Sequence, residues 1–274
     1  MKLRDALRAA AEQLAATSAT PRLDAELLAA HCLGVDRNKL LLTHLDTATP
    51  SEFAELVGRR LRHEPLAYIT GQASFWSLDL KVGPDVLIPR PDSETLIEAA
   101  LAHFDGVGPK TVLDLGTGSG ALLLAALSHW PAAHGLGVDQ SQAALLIAQE
   151  NAALLGMQAR AQFQVGNWGQ GLSGPFDLIL CNPPYIAQGY PLEPDVACYE
   201  PASALFAGQQ GLDDYFLLAP DIAQLLSCTG CACVEIGFDQ AISAGAIFDA
   251  QGLSVHVIKD LAGQDRCLVL RKKL

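Results

Sequence analysis

Basic charge is scarce in this sequence of 274 residues. It has eighteen Lys and Arg against thirty Asp and Glu, which gives a formal net charge of -12 at pH 7. Proteins that hold nucleic acid through its phosphates usually present a basic face, so this balance weakens a nucleic-acid-binding hypothesis. We therefore expect no direct binding of nucleic acid, although a local basic patch is compatible with a negative total.

Long apolar runs and a cysteine framework are also absent. No apolar run could cross a bilayer without charges or interruption by Pro or Gly, and the N-terminal Met-Lys-Leu-Arg-Asp lacks a signal peptide's apolar core. The odd number of cysteines, seven, favours reduced thiols over disulfides. Cys228, Cys231 and Cys233 have no second ligand pair or nearby His, so we expect core thiols and no metal site. We expect a cytoplasmic protein without membrane attachment, and a monomer.

Three segments are predicted along the chain, which is half apolar and larger than most single domains. In residues 1–64, apolar residues recur at three- and four-residue spacing, which predicts three to five short helices in a bundle. This bundle has no catalytic spacing, so we interpret it as a substrate-docking or structural domain. Residues 65–91 are predicted to form a β-hairpin connector, with β-rich stretches at 68–71 and 75–82 separated by turn residues.

The remaining segment, residues 92–274, alternates between predicted strands and helices. Seven strands are expected, at residues 111–115, 135–139, 161–165, 176–181, 231–236, 253–258 and 267–270. This alternation predicts a mainly parallel sheet covered by helices on both faces, an α/β fold of the Rossmann-like kind. Such sheets bind ligands at the carboxyl ends of their strands, so we expect the site in the loops that follow the strands.

A glycine-rich loop follows the first of these strands and consists of Gly116, Thr117, Gly118, Ser119 and Gly120. Glycines permit a sharp turn and the close approach of a ligand. The next strand ends in Asp139, where an acid can accept hydrogen bonds from both hydroxyls of a ribose. Together these features predict a cofactor that contains a nucleoside. The Gly-x-Gly-x-Gly spacing differs from the dinucleotide pattern, and the absence of a P-loop lysine argues against hydrolysis of a nucleoside triphosphate.

Trp168 follows the third strand and has two interpretations. It can border an adenine ring as a flat apolar wall, or it can be a partly buried core residue.

The most informative segment is a tetrapeptide at the end of the fourth strand: Asn182, Pro183, Pro184 and Tyr185. The prolines fix the backbone and remove its donors, while Asn182 adds an amide oxygen. A planar –NH2 group could donate one hydrogen to Asn182 and the other to the Pro183 carbonyl, with Tyr185 stacked on its face. This arrangement suits methyl transfer to an amide or amino nitrogen, which needs alignment and charge dispersal but no nucleophilic serine or metal. A rigid loop without chemistry is the alternative.

With these motifs, the chain resembles the HemK/PrmC family of protein-glutamine N5-methyltransferases over essentially its whole length. The segments that carry the resemblance are residues 64–71, Phe75, residues 88–95, the glycine-rich loop, the tetrapeptide and residues 199–201. The family's fold implies a class I methyltransferase domain. Its activity implies methyl transfer from S-adenosylmethionine to the glutamine in the Gly-Gly-Gln motif of peptide chain release factors.

The resemblance also implies roles for individual residues. The glycine-rich loop, Asp139, Trp168 and Asn182 would contact S-adenosylmethionine, and the tetrapeptide would hold the substrate glutamine. The chain departs from the family's usual pattern at two positions. Ser93 stands where Thr is common, and Asn167 stands where Asp is common, which puts the strength of cofactor binding in doubt.

Three other functions compete with this interpretation. An adenine methyltransferase acting on nucleic acid could place an exocyclic amine in the same pocket, but the acidic total argues against it. A glutamine methyltransferase acting on a ribosomal protein is closer, although residues 89–94 resemble the release-factor branch better. A catalytically silent cofactor-binding protein is the third.

The roles of two groups of charged residues stay open. Arg90, Asp92 and Glu94 are either a solvated charge run or structural, and Glu235 either faces the cleft or lies on the surface.

Overall fold

The computed structural model describes residues 1–104 and 106–273, and the chain divides into two compact units. The first contains residues 1–72 and 192–199, and the second contains the rest of the described chain. The helices are α1 (Leu3–Leu14), α2 (Pro21–Leu33), α3 (Arg37–Lys39), α4 (Phe53–Leu61), α5 (Leu66–Thr70), α6 (Glu94–His103), α7 (Ala121–His129), α8 (Gln142–Leu154), α9 (Pro194–Tyr199), α10 (Asp213–Leu225) and α11 (Ala241–Asp249). In the part of the chain that is described, none of them has the length and apolar character of a membrane span.

The first unit is helical, as the apolar spacing predicts. Its core is formed by fully buried leucines, among them Leu3, Leu7 and Leu28. A turn of π-helix, Leu40–His44, continues α3. The buried carboxylate of Asp24 accepts a hydrogen bond from Arg60 at 2.8 Å, which compensates part of the cost of burying both charges. This unit thus has a core of its own.

The predicted strand at residues 68–71 is wrong, because this stretch belongs to α5. Pro65 precedes the helix, and Gly71 ends it with a φ of 74°. Proline at a helix start and glycine after its end are strong helix boundaries, and here they outweigh the β-propensity of Tyr68, Ile69 and Thr70. The hairpin itself exists, but it is formed by β1 (Gln72–Phe75) and β2 (Leu78–Lys81).

The second unit is built on a seven-stranded sheet in the order β5-β4-β3-β6-β7-β9-β8. Its strands are β3 (Thr111–Leu115), β4 (His134–Asp139), β5 (Ala161–Val165), β6 (Phe176–Cys181), β7 (Leu226–Glu235), β8 (Leu253–Lys259) and β9 (Asp265–Lys272). The pairs from β5 to β7 are parallel, and β9 is antiparallel to both neighbours. The mainly parallel, Rossmann-like sheet is therefore confirmed, and β7 begins five residues before its predicted start.

The order of the strands in the sheet determines where a ligand-binding crevice can form. From β3 the chain adds β4 and β5 on one side and then returns to add β6 and β7 on the other. Such a reversal opens a crevice at the carboxyl ends of the strands, where open α/β sheets bind ligands. The glycine-rich loop follows β3, Asp139 ends β4, the tetrapeptide follows β6, and Glu235 ends β7. The predicted site residues therefore gather at one edge of the sheet.

Candidate active site

The glycine-rich loop turns in a conformation that side chains disfavour. Gly116, Gly118 and Gly120 have φ values of 73°, 54° and 82°. Asp139 fixes this turn, since its Oδ2 accepts a hydrogen bond from the Gly118 N–H at 2.9 Å. Its Oδ1 accepts another from the Ser141 N–H, also at 2.9 Å. Loop and acid therefore form one unit, and each carboxylate oxygen keeps a further lone pair for a ligand.

Trp168 lies against this loop. A Cβ on Gly116 would come within 3.1 Å of the Trp168 ring, so tight packing adds to the positive φ in disfavouring a side chain there. Trp168 itself has a φ of 49°, an unusual backbone conformation for a bulky residue. Its partly buried ring packs against the core and also lines a cavity. The interpretation of Trp168 as a partly buried core residue is therefore confirmed, and its contact with an adenine ring remains a prediction.

A cavity of about 420 Å³ opens at the carboxyl edge of the sheet. Predicted residues that line it are Gly116, Thr117, Gly118, Ser119, Asp139, Trp168, Asn182 and Pro184. Residues that the sequence did not indicate for it include Ser141, Asp214 and Leu217, and Ser93 and Asn167 also line it. Gly120 is not among the lining residues; a Cβ there would meet Leu124 and Ala148 at 3.2 and 3.3 Å, so this glycine serves helix packing. Pro183 and Tyr185 also lie outside the lining.

Asp114, near the end of β3, contacts the glycine-rich loop through a hydrogen bond. It is fully buried, and its Oδ2 accepts hydrogen bonds from Thr117 Oγ1 at 2.6 Å and from the Leu123 N–H at 3.3 Å. Burial raises the pKa of Asp114 to about 7, against the lowering effect of these bonds. Asp114 thereby ties the loop to the start of α7.

Asn182 is oriented by a serine from a distant part of the sequence. Its Nδ2 donates a hydrogen bond to Ser93 Oγ at 3.0 Å, which leaves Oδ1 as the acceptor for a ligand. Ser93 is buried and precedes α6, so the partner lies 89 residues before Asn182. Oδ1 forms no hydrogen bond within residues 1–104 and 106–273, as the methyl-transfer hypothesis requires.

Tyr185 is held at its side chain and at its backbone. Its hydroxyl donates to Glu235 Oε1 at 3.1 Å, and its carbonyl accepts from Gln240 Nε2 at 3.0 Å. The same Gln240 accepts from the Gly237 N–H at 3.0 Å and the Tyr215 hydroxyl at 3.2 Å. Burial raises the pKa of Tyr185 far above its ordinary value, so the phenol is neutral and is no base at physiological pH.

Glu235 faces inward from the carboxyl end of β7. It is 1% exposed, so the surface interpretation is wrong, and it does not line the cavity, so the cleft interpretation is wrong as well. Burial raises the pKa of Glu235 to about 7, although Ser93, Arg266 and Tyr185 lower it. Sequence reasoning noticed this acid at a strand end but gave it no partner.

The charged run at Arg90, Asp92 and Glu94 is structural. Arg90 forms an ion pair with Glu200, whose carboxylate also accepts from the Ile88 N–H at 3.3 Å. Glu94 accepts from the Trp76 N–H at 2.7 Å, and Asp92 lies 3.4 Å from Arg266. These contacts fix the chain on both sides of Ser93.

The thiols divide by burial. The prediction of core thiols is confirmed for Cys231 and Cys233, which are buried in the sheet, and is wrong for Cys228, which is exposed. Across residues 1–104 and 106–273, no group of three or more His, Cys, Asp or Glu is arranged to hold a metal ion.

Comparison with known proteins identifies the family. Residues 5–71 match the model of the PrmC N-terminal domain, and residues 92–197 match that of the methyltransferase small domain. A release factor glutamine methyltransferase from Rhodospirillum rubrum is 46% identical, over 92% of this chain and 79% of the relative. One from Caulobacter vibrioides is 41% identical, over 91% and 89%. The chain belongs to the release factor glutamine methyltransferase family. As a member, it is an enzyme of the methyltransferase class, so the resemblance seen in the sequence is confirmed.

Solved structures support the fold of this family member. A methyltransferase from Pyrococcus furiosus matches with a TM-score of 0.55 and 18% identity, covering 81% of this chain and 100% of that one. A ribosomal protein L11 methylase from Lactobacillus delbrueckii subsp. bulgaricus matches with a TM-score of 0.51 and 24% identity, covering 68% and 81%. These likenesses establish the Rossmann-like fold.

Proposed function

We propose that this enzyme transfers a methyl group from S-adenosylmethionine to the side-chain amide nitrogen, N5, of the glutamine in the Gly-Gly-Gln motif of peptide chain release factors. The observation that carries this proposal is the free Oδ1 of Asn182, held beside the cavity by Ser93, in a chain of this family. Relatives named for this activity match nearly the whole chain, which supports the same substrate class.

The cavity fits S-adenosylmethionine in size and in the chemistry of its walls. About 420 Å³ lies within the common range of small-ligand pockets, roughly 300–1,000 Å³. Asp139 would accept hydrogen bonds from the ribose, Trp168 would border the adenine, and residues 116–120 would let the cofactor approach the backbone. When bound, the cofactor supplies an electrophilic methyl group on a sulfonium. Asn167 also lines the cavity and offers an amide oxygen without the charge of the family's usual Asp.

The tetrapeptide would hold the acceptor amide through geometry. An amide nitrogen is a weak nucleophile, so the enzyme must fix both of its N–H bonds and point its face at the methyl group. Asn182 Oδ1 and the Pro183 carbonyl would accept one N–H each, and Tyr185 would cover the planar group. As the C–N bond forms and the C–S bond breaks, accepting these bonds disperses the positive charge that develops on nitrogen. One amide proton then passes to water, and the products are the N5-methylated glutamine and S-adenosylhomocysteine. Asn182, Pro183 and Tyr185 are therefore the proposed catalytic residues, and Pro184 completes the binding loop.

Division of labour between the segments is part of the proposal. We assign release-factor docking to residues 1–64, the connector to residues 65–91 and catalysis to residues 92–274. A separate helical core supports the first assignment. We expect the enzyme to act as a cytoplasmic monomer without direct binding of nucleic acid, which is consistent with its net charge of -12.

A methyl-transfer assay with three acceptors tests this function. Purified enzyme and tritiated S-adenosylmethionine are incubated separately with a release factor, a ribosomal protein and DNA. We expect label on the release factor, abolished when its Gly-Gly-Gln glutamine is replaced by alanine. Label on DNA alone would support the adenine methyltransferase, and label on the ribosomal protein alone would support the other glutamine methyltransferase; either result excludes our proposal.

A further inference from the structure

The hydroxyl group of the Tyr185 ring forms one hydrogen bond among the described residues, and its acceptor is Glu235. The 3.1 Å hydrogen bond joins residues 50 positions apart, from the loop after β6 to the end of β7. The bond comes from the interior, because Glu235 is 1% exposed and lies outside the cavity lining. A carboxylate there needs a reason, since burying an acid costs free energy unless it is well paired.

Pairing of Glu235 is incomplete. In the described part of the chain, its Oε2 is buried without a hydrogen bond of good geometry, while Oε1 holds Tyr185. Groups that face this carboxyl from the surrounding elements are Ser93 and Asp92 before α6, Tyr185 after β6, Tyr215 on α10, and Arg266 and Cys267 on β9. Arg266 is itself engaged by Asp260 at 3.2 Å and Asp92 at 3.4 Å. A residue selected for stability alone would be fully paired or apolar.

Resting on the function proposed above, we propose that Glu235 is a positioning residue for methyl transfer, which fixes the Tyr185 ring over the acceptor amide through the tyrosine hydroxyl. Gln240 holds the Tyr185 carbonyl, so the backbone is fixed independently of the ring. With the backbone fixed, the ring can still turn about its side-chain bonds, and the bond to Glu235 removes this freedom. The acceptor amide then packs against a Tyr185 ring that is held in one orientation.

Three variants separate this role from a structural one. Glu235→Leu removes the hydrogen bond, Glu235→Gln keeps an oxygen that can accept it, and Tyr185→Phe removes the donor. Glu150→Gln is the control, since Glu150 is an exposed acid on α8 that pairs with Lys81. Cofactor binding, measured by calorimetry, reports folding of the catalytic unit in each variant.

We expect Glu235→Leu and Tyr185→Phe each to lower kcat roughly tenfold, the effect of losing one ordinary hydrogen bond. Cofactor Kd should stay within about twofold, and Glu235→Gln should recover most of the activity. The double variant Tyr185→Phe/Glu235→Leu should be about as slow as either single variant, because both remove the same bond. Losses that multiply to roughly a hundredfold, or a kcat for Glu235→Leu within about twofold of the wild type, would overturn the inference.

A second readout does not depend on the substrate. Fluorotyrosine is incorporated in place of the five tyrosines, and the 19F signal of Tyr185 is assigned by its loss in Tyr185→Phe. Glu235→Leu should shift and broaden this signal, whereas Glu150→Gln should leave it unchanged. An unchanged signal in Glu235→Leu would refute the positioning role. If the wild type fails to methylate a release factor but this signal responds, the proposed function fails and the contact of Glu235 with the ring stands.

Discussion

The proposed cofactor and acceptor sites are built by different means. On the cofactor side, glycines with positive φ and one acid, Asp139, make a turn whose partners lie 21 residues apart or less. On the acceptor side, Asn182 and Tyr185 depend on side chains 89 and 50 residues away, Ser93 and Glu235. The geometry of the cofactor side is therefore set mainly by backbone groups close together in sequence. The acceptor side is instead a network of side chains that are distant in sequence and meet only when the sheet is assembled.

This difference predicts which step of the reaction each side controls. Backbone geometry around a preformed turn should determine affinity for the cofactor, since its contacts are made in the ground state. Orientation of the acceptor should determine kcat, because the transition state alone requires the nitrogen in line with the methyl group. Variants on the two sides should therefore separate into Kd effects and kcat effects.

Asn182→Ala gives the largest expected effect. Loss of Oδ1 removes one of the two proposed acceptors for the substrate amide, and removal of a transition-state hydrogen bond of this kind costs on the order of 10²–10³ in kcat. Cofactor Kd should change by less than about threefold, within the range expected for contacts of neutral groups. Single-turnover kinetics and calorimetry provide the two numbers. Turnover near that of the wild type would remove Asn182 from its assigned role.

The next effect concerns the stability of the acceptor side. Burial raises the pKa of Glu235 from its ordinary value of 4.5 to about 7 in the folded protein. Between these values the folded state binds more protons than the unfolded state, so the free energy of unfolding falls as pH rises and levels off above pH 7. Glu235→Gln lacks this titration. Relative to the wild type, the variant should therefore gain on the order of 2 kcal/mol between pH 5 and pH 8.

Urea denaturation at both pH values measures this gain. Comparison with the wild type is essential, since burial also raises the pKa of Asp114 to about 7 and that acid titrates in both proteins. Glu150→Gln should follow the wild type. Parallel curves for the wild type and Glu235→Gln would show that Glu235 titrates alike in both states.

Asp139→Ala gives the smallest of the three effects and reports on the cofactor side. Loss of the carboxylate removes the bond to the Gly118 N–H and the proposed ribose contacts, so cofactor Kd should rise roughly tenfold. With saturating cofactor, kcat should stay within about threefold, because the acceptor side is intact. Asp249→Asn, an exposed acid on α11, serves as the control. An unchanged Kd in Asp139→Ala would show that the ribose lies elsewhere.

The same contrast explains what the sequence could reveal. The glycine-rich loop, Asp139 and the tetrapeptide were located from sequence because each sits at a strand end and carries its own signature. The partners of Asn182 and Tyr185 were not, since they depend on which strands become neighbours. β6 lies between β3 and β7 in the sheet, and this order brings Glu235 to Tyr185. Spacing along the chain contains no such information.

At two other places the structure differs from what the sequence predicts. The β-propensity of residues 68–70 predicts a strand, but the boundaries set by Pro65 and Gly71 make this segment the helix α5. The cavity also includes Asp214 and Leu217 from α10, which the sequence offered no reason to single out. Which residues of a helix line a site depends on the angle at which the helix crosses the sheet. The periodicity of apolar residues in the sequence does not determine that angle.

Tandem mass spectrometry of a release factor after incubation with the enzyme and S-adenosylmethionine tests the central claim most directly. The account predicts a single added methyl group on the side chain of the Gly-Gly-Gln glutamine, absent when Asn182→Ala replaces the wild-type enzyme. A methyl group on another residue, or equal methylation by Asn182→Ala, would contradict the claim that the tetrapeptide holds the amide nitrogen of that glutamine.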